Sequence, residues 1–148
     1  MALDLQAIHE ALANQIRNTD ISSTFNVFAF SEPGGTSPKI EVRPGVEYLE
    51  YFTTFGPDGT ADLMLDLIVD LRGMTGEDRA LWAWRLLSSG TSEGGSPQPT
   101  SLVDAVMTDK TLGGTVQDAV ILSAAWDDDN DQITAPVRII LKKSGAAV

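Results

Sequence analysis

Asp127, Asp129 and Asp131 alternate with the spacing that a calcium loop uses for its first carboxylates. The match then fails, because Gln132 holds the place of the sharp-turn glycine and Arg138 that of the bidentate acid. A solvated hairpin tip is the better reading of these acids. Gly34-Gly35 and Gly113-Gly114 could cradle a phosphate only in a strand–glycine–helix setting with a lysine, and neither has one. His9 is the only histidine, and it sits on a predicted helix beside that helix's apolar stripe. No serine or threonine nucleophile can be matched with it as a base. The chain has no cysteine, so it makes no disulfide and offers no thiolate to a metal. No catalytic, cofactor-binding or metal-ligating residue is assigned, and a non-enzymatic role without cofactors is expected.

These side chains depend on the elements that carry them. Leu5, Ile8, Leu12 and Ile16 recur at spacings of three and four, which predicts a helix over 4–17 with its stripe on a sheet. Asp4 is its expected N-cap, and Arg17 suits the C-terminal end of its dipole. Residues 24–30 read as a strand with Phe25 on one face and Phe28 and Phe30 on the other. A turn-rich loop covers 31–38. Two extended runs follow, a short one at 40–43 stopped by Pro44-Gly45 and another at 47–55, before a turn at 56–59. The clearest strand is 62–71, which pairs with 47–55 as a hairpin. Leu63, Leu65, Leu67, Val69 and Leu71 point to the helices, and Asp62, Met64, Asp66, Ile68 and Asp70 to water or a neighbouring subunit.

Thr75 caps a second helix that runs to about 89. Trp82 and Trp84 diverge on it, so one belongs to the core and the other to a contact surface. A mobile polar loop covers 90–100. A third helix then buries Leu102, Val103 and Val106 and turns through Leu112-Gly113-Gly114-Thr115. The strand predicted over 116–126 carries Val120, Leu122, Ala124 and Trp126 on one face. After the 127–131 tip, the last strand turns Ile133, Ala135, Val137, Ile139 and Leu141 inward. Pro136 removes one ladder donor, and 144–148 is a loose tail. The order predicts a single α+β domain, 1–148, with a largely antiparallel or mixed sheet of roughly four to six strands under about three helices on one face.

The 148 residues carry a net charge of −11, from 21 acidic and 10 basic side chains. Such a surface repels phosphate backbones, which argues against gripping nucleic acid. No apolar run approaches a membrane span, and no secretory signal pattern opens the chain, so cytoplasmic synthesis without membrane insertion is expected.

Taken in order, these pieces resemble the tail terminator, or tail-completion, proteins of long-tailed bacteriophages, particularly the actinobacterial-phage type. The resemblance rests on the opening helix 5–17, on Val42-Arg43-Pro44-Gly45 leading to Tyr48, on the alternating strand 62–71 and on the helix 77–87. It rests above all on Ser101-Leu-Val-Asp-Ala-Val, Thr111-Leu-Gly-Gly-Thr-Val-Gln-Asp and the closing hairpin. It implies a virion protein, made in the host cytoplasm, that closes as a ring, usually a hexamer, on the tail tube. That ring ends tube polymerisation and meets the head connector, while DNA passes through its centre unbound. A ring needs unlike surfaces that fit each other, for which Phe28, Phe30, Met64, Ile68, Trp82 and Trp84 are candidates. A negative bore lets DNA slide, and the acids proposed to line it come from Asp62, Asp66, Asp70, Asp127, Asp128, Asp129 and Asp131. The rival readings are another neck or tail-tube subunit, or a small-molecule-binding α+β domain.

Overall fold

The computed structural model describes residues 4–32, 37–52, 60–89 and 100–142. The glycine pair at 34–35, the turn expected at 56–59, Gly90, most of the 90–100 loop and the 144–148 tail lie outside the described residues.

Helix α1 (Leu5–Arg17) begins where predicted, with the Asp4 carboxylate accepting the Ala7 N–H at 3.0 Å, and it buries Ile8, Leu12, Ala13 and Ile16. A 3₁₀ turn at Asp20–Ser23, capped by Thr19, buries Ile21 and leads to the short strand β1 (Asn26–Phe28). Strands β2 (Lys39–Phe52) and β3 (Thr60–Asp70) form a long hairpin. Helices α2 (Gly76–Leu87) and α3 (Leu102–Met107) follow, each capped by a hydroxyl, Thr75 and Ser101 respectively. Strands β4 (Asp118–Ile121), β5 (Ala125–Asp127) and β6 (Gln132–Lys142) complete the chain.

Among the described residues the sheet has six strands in the order β1-β2-β3-β6-β4, with β5 also on β6. Only β1–β2 is parallel. The helices cover one face, which makes this the α+β fold expected. Leu63, Leu65, Leu67 and Val69 of β3 and Ile133, Ala135, Val137 and Ile139 of β6 are fully buried beneath them. The alternation read from sequence thus assigns the core face of both central strands.

Two bulges depart from the sequence reading. The runs at 40–43 and 47–55 belong to one strand rather than two. Pro44 pairs with Leu65 and Leu49 with Leu63, so residues 45–48 stand against Met64 alone. Proline removes one ladder donor, and here the strand bulges instead of ending. Gly45 makes the bulge close: a Cβ there would meet the Met64 carbonyl oxygen at 3.0 Å.

The second bulge divides the strand expected over 116–126. Ala119 pairs with Ile139 and Ile121 with Val137, but Trp126 pairs with Ile133, a shift of one residue across 122–124. The core-facing set is therefore Ala119, Ile121 and Trp126, and Val120, Leu122 and Ala124 do not belong to it. Counting alternation through a bulge reverses the faces. Leu122 is 52% exposed as a result. Before β4, Leu112, Gly113 and Gly114 take φ of 50°, 74° and 85°. Asp109 accepts from the N–H groups of Thr111 and Gly113 and from the Thr111 hydroxyl, and these bonds hold its carboxyl below the ordinary value.

Candidate functional site

Among the described residues the sheet's other face carries no helix, and it collects most of the charged side chains that the sequence placed on alternating strand positions. Register fixes its rows. Asn26, Lys39, Asp70, Gln132 and Asp127 lie across the strands in one row, and Phe28, Glu41, Ile68, Thr134 and Ala125 in the next. Around the first row lies a cavity of about 640 Å³, lined by β2 residues, Asp70, Arg72 and the 127–132 tip.

Its floor is an ion network. Glu41, 1% exposed, accepts from the Glu32 N–H and from the Arg43 guanidinium, and Lys39 Nζ lies 3.6 Å from it. Lys39 also donates to the Glu32 carbonyl at 2.5 Å. Burial alone would raise the Glu41 carboxyl, but these donors and cations outweigh it and hold the group below its usual range. Asp70 is placed likewise. Burial would raise it, yet Arg72 and the Ser37 hydroxyl, at 2.8 Å, lower it to about 2. Residues 31–32 and 37–38 are thereby tied to β2 and β3 by carboxylates that are themselves paired.

The acids proposed for a bore come together on this face but differ in kind. Asp62 is buried and bonded to Arg138. Asp70 is neutralised by Arg72. Asp66 is half-buried, and burial pushes its carboxyl up. At the tip, Asp131 pairs with Arg79 of α2, and Asp127 accepts from Asn130, whose bonds lower its carboxyl. Asp128 and Asp129 are exposed. Of the expected contact residues, Met64 and Phe28 are half-buried and Ile68 is 9% exposed. The Phe28 and Phe30 rings lie tilted at 56° with centroids 6.2 Å apart, and Phe30 is 56% exposed.

The two tryptophans separate as their spacing requires. Trp82 lies in the core, edge-on to Phe25 with Arg85 over its ring, so it is corrected from contact residue to core. Trp84 is 60% exposed. Leu81, Trp84 and Leu87 line the outer side of α2 at spacings of three and continue into a groove of about 400 Å³ with Val103 and Leu122. The sequence did not mark this groove, because the bulge that exposes Leu122 has no local signal. Nor did it mark Lys39, Glu41, Arg43 and Arg72, although Lys39-Ile-Glu41-Val-Arg43 alternates charge with a period of two.

His9 is spoken for. The Ala29 carbonyl, 3.2 Å from Nδ1, can only accept, so Nδ1 donates to it, and in the neutral ring Nε2 then accepts from the Tyr48 hydroxyl at 2.8 Å. The pair fastens α1 to the β2 bulge. Among the described residues no three histidine or carboxylate side chains are grouped to hold a metal ion. The chemistry of the site is that of paired charge and apolar contact.

No protein-family model and no curated protein matches this chain.

Proposed function

We propose that this chain is a structural protein of a long-tailed bacteriophage, a tail terminator that closes as a ring on the end of the tail tube. It ends tube polymerisation, joins the tail to the head connector and belongs to the tail or neck of the virion. Its role is assembly rather than catalysis, and its partners are copies of itself, the tube protein and the connector. The observation that carries the reading is the sorting of the surface. Charges on the helix-free face are largely paired with one another, whereas apolar side chains stay exposed in unlike places, among them Phe30 beyond β1 and the Trp84–Leu122 region, with Val46 on the β2 bulge a third. Head-to-tail rings need two surfaces of this sort. The net charge of −11 supports passage of DNA without binding.

Electron microscopy of particles lacking the protein tests the reading. Overlong tails, or heads and tails left unjoined, are expected; normal virions would defeat it. The mass of the purified protein separates the neighbouring readings, since a discrete multimer supports a terminator and an open-ended polymer a tube subunit.

A further inference from the structure

The two edges of the sheet carry different side chains at the ends of the same rows. At one end, Arg17 is exposed and has no carboxylate partner among the described residues. Its guanidinium instead caps the Val27 carbonyl of β1, at 3.0 and 2.6 Å, and bonds Asn14. The outward carbonyl of that edge is thus already taken, which blocks a continuous ladder there and leaves side chains to make any contact. Phe28 closes one row at this edge, and Phe30 stands exposed two residues on.

At the other end, Ala125 closes the same row as Phe28, and Asp127 the same row as Asn26. The exposed carboxylates of Asp128 and Asp129 follow Asp127 and have no partner among the described residues. Leu122, in the row of Pro136 through its N–H bond to that carbonyl, lies on the groove beside Leu87. If a second copy continues the sheet in the same orientation, the rows keep their order. Arg17 then comes to the acidic tip, and Phe28 and Phe30 to Ala125 and Leu122.

We infer that the β1 edge of one copy docks on the β4–β5 edge of the next, with Arg17 against Asp128 and Asp129 and the two phenylalanines against Leu122. The inference rests on the ring reading above and names its subunit contact. A second copy is the occupant because both halves of the match lie on one chain. In a chain this acidic, the β1 edge also presents an exposed guanidinium that has no carboxylate partner among the described residues. The contact is heterologous, so every partial assembly keeps one open β1 edge and one open β4–β5 edge, and these meet only when a ring closes; otherwise the assembly grows as an open filament.

The chain has no cysteine, which allows a direct test. Phe30→Cys and Leu122→Cys are introduced singly and together, and each protein is treated with a short bismaleimide and run on a denaturing gel. The double variant is expected to give a ladder of linked dimers, trimers and upward, and a mixture of the two single variants dimers only. Independently, Arg17→Asp is expected to weaken association at least about tenfold, and Asp128→Arg with Asp129→Arg in the same chain to restore it. Circular dichroism on each variant separates lost contact from lost fold. A native multimer whose double variant gives no ladder would overturn this contact and leave the ring reading standing. A wild-type protein that stays monomeric would overturn it too. A ladder from a protein whose deletion leaves virions normal would keep the contact and remove the phage reading.

Discussion

Glu41→Gln is the most informative single change to the helix-free face. Glu41 is 1% exposed and Lys39 5%, so the substitution leaves an ammonium buried without its counter-charge 3.6 Å away. Breaking a buried pair from one side costs about 3–5 kcal/mol. The amide oxygen can still accept from the Glu32 N–H, and Lys39 keeps the Glu32 carbonyl at 2.5 Å, which puts the expected loss at the low end, about 3 kcal/mol. At this chain length that lowers Tm by about 6–12 °C. Arg43, whose side chain is 42% exposed, should matter far less, and Arg43→Gln is expected to cost under about 1 kcal/mol. Lys39→Met combined with Glu41→Leu removes both charges and should recover at least about 1 kcal/mol relative to Glu41→Gln. Urea denaturation followed by circular dichroism measures all three. A Glu41→Gln protein that loses less than about 1 kcal/mol would refute the picture of a desolvated network. So would a double variant less stable than the single one.

Gly45→Ala pushes a methyl against the Met64 carbonyl oxygen, 3.0 Å from the ideal Cβ, and should destabilise by about 1–3 kcal/mol in the same assay. Trp82→Ala empties the core beside Phe25 and should cost about 3–5 kcal/mol, whereas Trp84→Ala should leave stability within about 0.5 kcal/mol and act only on self-association measured by light scattering. Asp70, lowered from 3.8 to about 2, contributes stability that is present above pH 4 and is lost as pH falls toward 2. The contribution is at most about 2 kcal/mol and nearer 1, because Arg72 is largely exposed, and Asp70→Asn should flatten that limb of the acid-denaturation curve.

The sequence made α1, β3 and β6 readable because each keeps one period over its whole length and has its cap or turn residues in place. What it concealed lies where the period changes. The three-residue register jump at 45–48 and the single shift at 122–124 alter which face a residue takes without any change in residue type. The candidate site divides in the same manner. Asp70 with Arg72 is a pair two residues apart and could be seen locally, but Asp62 finds Arg138 across 76 positions of chain. Only the strand order β3-β6 brings those two together. Alternating acids on β3 therefore read as a solvated or lumenal row, when two of the three are buried and paired, Asp62 with Arg138 of β6 and Asp70 with Arg72 just along the chain.

This pairing sharpens what an acidic bore could consist of. Asp62 and Asp70 present little net charge, since each shares its surroundings with a guanidinium, and Asp131 is paired with Arg79. The carboxylates left are Asp66, half-buried, and those of the tip. If Asp128 and Asp129 meet Arg17 of a neighbour, they are spent on contact and cannot also repel DNA. The two roles compete, and Asp128→Asn with Asp129→Asn distinguishes them. A contact role predicts a smaller multimer fraction, with greater loss at low salt, where charge pairs are least screened, and unchanged indifference to DNA. A lumenal role predicts an intact multimer that begins to retain DNA, with retention falling steeply as salt rises. Sedimentation velocity and filter binding on one protein preparation read both. A variant with unchanged mass and no DNA retention would remove the tip from either role and leave Asp66 as the acid to test next.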